Sequence, residues 1–453
     1  MKTNKVSIIM PVLNGMPYFK DALKSVMSQT LSDIEIIIVD CGSTDCTLKF
    51  INECIKKDNR IKLIVSNIKS MGYQYNIGIH NATGEYIGFC ESDDMLDLDA
   101  YKYMYNIASE NNKPDCVKST FKMFIEKPKK FEIEYDNIPR EKENLHNQVI
   151  TTKTLPVLIY RDVNMWNGIY KRTFILENNI VLNETKGAAF QDTGFVQRVH
   201  AKSNSTIYGT KPVYYYRRDN EGSSVYKSTV GLFALNEFYY TMKLLNESPV
   251  IRENFLRELF GRAFGLFFRM YSKDLYYKTS NQYSDEVKEL REKLIDFYNN
   301  LSKHEQTMLY DNIPLFTMFK SLSDFETVCI SNYESNAKKY NAFWDIFKDN
   351  SSVVVFGCGE FGQGIAAAMF KNDFEGEVCY CDNKIKESTY VCGLNAYSVE
   401  EAVKKYPNAY YLITGTKYFA EMRSQLYGLG VKAEKIICAP TIGMHASMEL
   451  KFE

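Results

Sequence analysis

Residues 91–94 read Glu91-Ser92-Asp93-Asp94 and directly follow an apolar, strand-like run, Glu85-Tyr86-Ile87-Gly88-Phe89-Cys90. Carboxylates gathered where a buried strand stops suit a hard divalent cation, which can in turn bridge the oxygens of a diphosphate. The cluster therefore points to Mn²⁺ or Mg²⁺ and to a phosphate-bearing substrate. A group leaving from a nucleoside diphosphate needs its developing negative charge neutralised, and a metal held by Asp94 with help from Asp93 would do that.

Two earlier segments repeat the pattern of apolar strand and small-residue turn. Val6-Ser7-Ile8-Ile9-Met10 runs into Pro11-Val12-Leu13-Asn14-Gly15, and Ile34-Glu35-Ile36-Ile37-Ile38-Val39 runs into Asp40-Cys41-Gly42-Ser43-Thr44-Asp45. Helical patterns follow each, roughly 19–29 and 46–57, giving a series of βαβ units with short loops. Ligands of open parallel sheets bind outside the carboxyl ends of the strands, so Pro11, Asp40 and the acidic cluster should share one crevice. Asp45 reads as a helix cap in its turn.

With Asn76-Ile77-Gly78-Ile79 and Ala82-Thr83-Gly84 added, these blocks stand in the order and spacing of family 2 glycosyltransferases, which the chain resembles. The resemblance implies an α/β chain opening with the GT-A fold, a nucleotide-sugar donor, usually a UDP-sugar, and inversion at the anomeric carbon. Carried over residue by residue, it implies metal ligation by Asp94, a ribose and metal contact at Asp93, and a base contact at Asp40. Pro11, Asn14, Gly42, Ser43 and Asn76 would join these in holding the donor nucleotide. Further on, Trp166-Asn167-Gly168, Glu177-Asn178-Asn179, Gln191-Asp192-Thr193 and Tyr214-Tyr215-Tyr216-Arg217 resemble the acceptor half of bacterial capsule and lipopolysaccharide transferases, whose acceptors are glycans or lipid-linked sugars. Inversion by direct displacement needs one carboxylate to take the acceptor proton, and Asp192 matches the family's base.

Three positions depart from the family pattern. Gln191 stands where an acidic residue is usual, Tyr75 where many relatives carry arginine, and Glu91 where the commoner residue is aspartate. On the acceptor side, Trp166 and the tyrosines 214–216 suit either stacking on a sugar or core packing. Arg217 suits either a phosphate or a structural ion pair.

Composition fits a multi-domain globular enzyme: 453 residues, 45% hydrophobic and 25% charged, with a net charge of −1 that gives no argument for nucleic acid. The 11 cysteines and 5 histidines show no zinc-site spacing and no disulfide framework. Met1–Lys5 leads straight into a strand without a signal-peptide pattern, and no apolar run is long enough to span a bilayer, so a cytoplasmic protein is expected.

Beyond residue 228 the pattern becomes long and helical over 231–245, 250–276 and 284–298, rich in Phe and Tyr. The apolar residues from Leu259 to Met270 suit the core of a bundle. A peripheral membrane contact through Arg262, Arg269 and Lys273 is the alternative, and the aromatic surface could also pair two copies of the chain.

The last hundred residues form another unit. A strand at 352–356 precedes Gly357-Cys358-Gly359-Glu360-Phe361-Gly362, a helical pattern at 363–370, and a second strand ending at Asp382. This G-x-G-x-x-G context predicts a Rossmann-like domain, with Gly357, Gly359, Gly362 and Asp382 as candidates for a nucleotide or NAD-like ligand. The only Tyr-x-x-x-Lys suited to a short-chain dehydrogenase, Tyr380 to Lys384, lies immediately after that strand, which favours binding or assembly over a second reaction. The expected division is thus 1–228 for the GT-A domain, 229–347 for the helical section and 348–453 for the Rossmann-like domain. The alternatives to a transferase alone are a bifunctional protein and a non-catalytic sugar-nucleotide scaffold.

Overall fold

The computed structural model describes residues 4–126, 131–152, 154–188, 190–220, 230–277, 284–309, 321–347, 351–371, 374–415 and 418–438. They pack as two compact units, Met1–Lys122 with Asp136–Cys329, and Met123–Tyr135 with Ile330–Glu453.

The first unit is built on an eight-stranded sheet in the order β3-β2-β1-β4-β10-β6-β11-β9. Strands β1 (Val6–Val12) and β2 (Ile34–Asp40) are buried along their whole length, which explains their near-continuous apolar sequence. β3 (Ile61–Val65), β2, β1 and β4 (Tyr86–Phe89) run parallel, with Val12 opposite Asp40 and Ile9 opposite Phe89. The chain proceeds outward from β1 to β3 and then returns to β4 on the other side of β1. The strand order therefore reverses at the β1–β4 boundary, where a crevice forms at the carboxyl ends. Short strands extend the sheet beyond β4: β6 (Cys116–Lys118), β9 (Val149–Ile150), β10 (Gly168–Lys171) and β11 (Thr206–Tyr208), with β10 antiparallel to β4 and β6.

Helices cover the parallel strands for reasons visible in their spacing. In α1 (Phe19–Met27), Phe19, Ala22, Leu23 and Val26 recur at three- and four-residue intervals and are all buried. In α3 (Met71–Asn81), Gly78 lets the helix settle onto β1, because a Cβ there would lie 2.3 Å from Ile9 Cγ2. α4 (Ala100–Glu110) packs over β6 and β10, and α7 (Gln191–Lys202) lies beyond the short α5 (Leu158–Arg161) and α6 (Arg172–Glu177).

The helical section forms as expected, in α8 (Val230–Glu247), α9 (Pro249–Tyr277) and α10 (Ser284–Asn299). Leu259, Phe260, Phe264 and Phe267 of α9 are buried in a core with Leu244, Leu290, Leu294 and Phe325. Each such side chain contributes roughly 1.5–3 kcal/mol by leaving water. These residues thus face a protein core, and the side chains of Arg262, Arg269 and Lys273 lie outside the described residues. Among the described residues no helix is long and apolar enough to cross a membrane.

The second unit holds a six-stranded sheet in the order β15 (Thr389–Val391), β16 (Leu394–Tyr397), β14, β13, β17 (Tyr410–Ile413), β18 (Ile436–Cys438), parallel except for the edge strand β15. β13 (Val353–Phe356) and β14 (Val378–Cys381) are the strands that flank the glycine turn in sequence, and the helix Glu360–Lys371 begins at that turn. Gly362 is required by close packing, since a Cβ there would lie 2.0 Å from the Gly357 carbonyl oxygen. The segment 123–135 also belongs to this unit, with Ile125 buried in its core beside Val355 and Ala367.

Candidate active site

The loops after β1, β2 and β4 meet at the strand-order reversal. Asn14, at φ 51°, donates its N–H to Ser43 Oγ at 2.9 Å and accepts the Thr44 N–H on Oδ1 at 2.8 Å. Asn14 and Ser43 therefore join the first two loops together. Gly42 takes φ +79°, a conformation a side chain would strain. Asp45 accepts the Thr47 N–H at 2.9 Å and the Met16 N–H at 3.2 Å, tying its turn both to α2 (Thr47–Ile55) and to the first loop.

Asp40 is fully buried at the end of β2, beside Pro11 and Val12 of β1. Its Oδ1 accepts the N–H groups of Gly42 at 2.9 Å and Ser43 at 3.0 Å, while its Oδ2 has no hydrogen-bond partner. An unpaired buried carboxylate oxygen is costly, and a donor group on a ligand would satisfy it.

One carboxylate oxygen from each of Glu91, Asp93 and Asp94 lies within 4.8 Å of the others, a spacing that fits a single divalent cation. Asp94 is buried: its Oδ2 accepts the Tyr214 hydroxyl at 2.8 Å and its Oδ1 the Arg217 N–H at 2.7 Å. Each oxygen keeps a further lone pair for a metal. Burial, and then the charge of Asp93, pushes the Asp94 carboxyl well above the ordinary range. Burial followed by Asp94 does the same to Glu91. Like charges held this close without compensation are destabilising, and a cation supplies the compensation. Glu91 lies close enough to Asp93 and Asp94 to share one cation with them.

The strand β12 (Tyr214–Arg217) braces this cluster from behind, paired with β5 (Met95–Leu96). Arg217 Nε donates to the Asp93 carbonyl at 3.0 Å, its Nη1 lies 3.3 Å from Asp219, and its guanidinium covers the Tyr18 ring at 4.6 Å. These contacts give Arg217 an ion pair within the protein. Asn220 donates to Asp93 Oδ2 at 2.7 Å. Trp166 is buried and stacks on Tyr214 at 4.2 Å and on Tyr216 at 5.3 Å, so its ring is occupied by protein neighbours.

Asp192 is the second residue of α7, half-buried, and its Oδ1 accepts the Thr193 N–H at 2.8 Å. The residue before the helix, Phe190, is left-handed at φ 62°. Gln191 is buried, and its amide donates to Thr185 Oγ1 at 3.1 Å and to the Gly187 carbonyl at 3.3 Å. These bonds close the turn that precedes α7.

Two residues of α8 reinforce the start and middle of α7. Thr241 donates to Gln197 at 2.9 Å. Glu237, almost fully buried, has Oε1 bonded to Asn183 at 2.9 Å, while its Oε2 packs against Gly194 and has no hydrogen-bond partner. Burial first, with the charge of Asp192 added, pushes its carboxyl up to about 8. Sequence reasoning missed Glu237 because nothing in a helical pattern marks which acid will face inward. At the other end of α7, His200 Nε2 lies 2.9 Å from Asp162, which also accepts Lys118 Nζ at 2.6 Å and the Tyr208 hydroxyl. Burial would raise Asp162, yet Lys118 and His200 beside it hold its carboxyl below the ordinary range.

Asn76, expected at the nucleotide, is bonded within the protein in this structure. Its Nδ2 donates to the Leu182 carbonyl at 3.0 Å and Glu184 at 2.9 Å, and its Oδ1 accepts the Leu182 N–H at 2.9 Å. The amide latches α3 to the segment that leads into α7. In the second unit Asp382 Oδ2 accepts the Cys358 N–H at 3.1 Å and its Oδ1 the Lys384 N–H at 2.9 Å, which ties it to the glycine turn and to the turn that follows β14. Gly357 adopts φ +116° in that turn, and Gly359 accepts the Gln363 N–H.

Comparison with known proteins agrees with this geometry. The glycosyl transferase family 2 profile matches residues 7–159. The putative glycosyltransferase EpsH of Bacillus subtilis is 30% identical over 222 residues, covering 48% of this chain and 62% of EpsH. Glycosyltransferase GlyA of Streptococcus pneumoniae is 27% identical over 223 residues, covering 47% of this chain and 30% of GlyA. The chain therefore spans less than two thirds of either relative. Among solved structures, S. aureus TarS 1–349 superposes with a TM-score of 0.55 at 19% identity, covering 73% of this chain and 91% of that one. The same TarS fragment in complex with UDP-GlcNAc gives 0.54 at 20% identity, covering 73% and 92%. Residues 7–159 of the chain thus carry a glycosyl transferase family 2 domain, and the amino-terminal domain has the GT-A fold.

Proposed function

We propose that the amino-terminal domain transfers a sugar from a UDP-sugar to a hydroxyl of a glycan or lipid-linked acceptor in bacterial surface polysaccharide synthesis, with inversion and with a divalent cation. The observation that carries this reading is the convergence of Glu91, Asp93 and Asp94 at the strand-order reversal beside Asp40, whose free Oδ2 can accept the N–H of a uracil ring. The TarS fragment solved with UDP-GlcNAc supports the choice of donor class.

In this mechanism the acceptor oxygen attacks the anomeric carbon, the bond from that carbon to the diphosphate oxygen breaks, and Asp192 takes the acceptor proton. Glu91, Asp93 and Asp94 would hold Mn²⁺ or Mg²⁺, which when bound supplies charge neutralisation for the leaving diphosphate. Arg217 and Tyr214 hold the Asp94 carboxylate, Asn220 holds that of Asp93, and the Tyr214 hydroxyl accepts the Glu91 backbone N–H. α7 presents Asp192 from a helix start fixed by Gln191 and Glu237. The carboxyl-terminal sheet enters as an accessory domain without its own reaction, in keeping with the closed turn around Asp382.

The test is turnover of a UDP-sugar panel against candidate acceptors, with donor binding measured alongside. Asp192→Asn should abolish transfer while donor binding survives. Full transfer by Asp192→Asn would remove Asp192 as the base, and tight donor binding with no turnover on any acceptor would favour a scaffold.

A further inference from the structure

Asp192 is the second residue of α7, so its place depends on how the segment 181–187 enters that helix. The buried Asn76 of α3 commits its amide to this segment. Its Nδ2 donates to the Leu182 carbonyl at 3.0 Å and to Glu184 Oε1 at 2.9 Å, and its Oδ1 accepts the Leu182 N–H at 2.9 Å. Both N–H donors are thereby used. Pairing with both backbone groups of Leu182 fixes the segment along its own direction as well as against the helix, because hydrogen bonds are directional and apolar contacts are not. Gly72 of the same helix brings backbone against backbone, since a Cβ there would lie 2.0 Å from the Asn183 carbonyl oxygen.

The connection continues to the start of α7. Gly187 accepts the Met71 N–H at 2.9 Å, donates to the Lys69 carbonyl at 2.8 Å and accepts the Gln191 amide at 3.3 Å. Lys69 belongs to the loop after β3, in which Ser66 donates its N–H to the Asp40 carbonyl at 2.8 Å and the Ile68 carbonyl accepts Cys41 Sγ at 3.0 Å. From the other side α8 holds the same segment, through the Tyr240 hydroxyl on the Val181 carbonyl at 2.6 Å and through Glu237 on Asn183 at 2.9 Å. The segment is thus clamped between α3 and α8, and Asn76 is the side chain by which α3 holds Leu182 and Glu184.

We propose that Asn76 is a positioning residue for the base, acting through the segment 182–187 to fix the start of α7 and with it Asp192, and that it does not hold the nucleotide. The inference rests on Asp192 as the base in the reading above. A misplacement of about 1 Å can cost about a hundredfold in rate, so loosening one side of the clamp lowers turnover while donor binding stays.

The test compares wild type, Asn76→Ala and Glu184→Ala in three measurements: calorimetry of UDP with Mn²⁺, steady-state release of UDP from UDP-glucose, UDP-galactose or UDP-N-acetylglucosamine, and amide hydrogen exchange. In Asn76→Ala the expected result is kcat lowered about tenfold or more, with UDP affinity and donor KM unchanged within about twofold. Exchange across 181–196 should be about tenfold faster, with β1 and β2 unchanged. Glu184 is exposed and loses one bond of the three, so Glu184→Ala should show the same pattern at about threefold. Should Asn76→Ala not fold, Glu184→Ala decides, and unchanged kcat and exchange in it would overturn the assignment. A fall in UDP affinity as large as the fall in kcat would put Asn76 on the nucleotide and overturn it. Faster exchange with kcat unchanged would overturn it too, leaving the clamp to stability alone. Full turnover by Asp192→Asn, or no UDP release by the wild type, would be a different failure, that of the reading on which the inference rests.

Discussion

Asp40 and Asp382 stand in the same local setting, each at the end of a central parallel strand beside a turn that contains a left-handed glycine. In the amino-terminal domain Asp40 uses one oxygen to hold the Gly42–Ser43 turn and keeps the other buried and unpaired. In the carboxyl-terminal sheet Asp382 uses both, one on the Cys358 N–H of the glycine turn and one on Lys384. One aspartate keeps an oxygen with no partner at all, and the other has one N–H on each oxygen. The comparison thus turns on how much hydrogen-bonding capacity each carboxylate keeps after its turn is closed.

The largest expected effect separates chemistry from binding on the amino-terminal side. Asp192→Asn should lower kcat by about a thousandfold with UDP affinity retained, in the range typical of removing a general base. Steady-state kinetics beside calorimetry would show it, and a joint fall in both would mean that Asp192 holds the donor.

Next is Asp40→Asn, which can still accept the Gly42 and Ser43 N–H groups on its oxygen but turns the free valence into a donor. UDP affinity should fall by about 2 kcal/mol, roughly thirtyfold, with the fold intact by circular dichroism. An unaltered affinity would break the comparison at its first term.

Glu237 gives a pH-dependent effect. Its carboxyl lies at about 8 in the folded chain against an ordinary 4.5, so between these values the folded state holds a proton that the unfolded state has released. Stability from this group is complete below the lower value and declines as pH rises to the upper one, by at most about 1.4 kcal/mol per pH unit. Glu237→Gln should therefore gain on the wild type in thermal melts from pH 5 to pH 8. Parallel curves would show that the carboxyl is ionised throughout.

The smallest effect is expected from Asp382→Asn. Losing one turn-closing acceptor should cost about 1 kcal/mol of stability in the second unit, without altering UDP affinity. A loss of nucleotide binding in that variant would instead make the carboxyl-terminal turn a ligand site.

Much of this was legible in the chain because it depends on local patterns. The runs at 6–12 and 34–40 are apolar apart from Ser7, Glu35 and Asp40 because both faces of the sheet are covered, and α8, α9 and α10 follow the expected spans within two residues. The acidic cluster could be found because its three carboxylates are sequence neighbours. What was hidden depends on distant partners. Asn76 bonds to residues 106 and 108 positions away, and Glu237 meets Asn183 across 54. The strands β10, β11 and β12 have only three or four residues, too few for alternation to declare them. Nothing in the segment 123–135 marks it as part of the second unit, since its role depends on the core around Ile125.

The most direct test of the central claim is titration of UDP into the protein with and without Mn²⁺, in the wild type, Asp94→Ala and Asp382→Asn. The account predicts Mn²⁺-dependent binding that is lost in Asp94→Ala and kept in Asp382→Asn. Binding that ignores Mn²⁺ and Asp94 but disappears in Asp382→Asn would contradict it and move the nucleotide site to the carboxyl-terminal sheet.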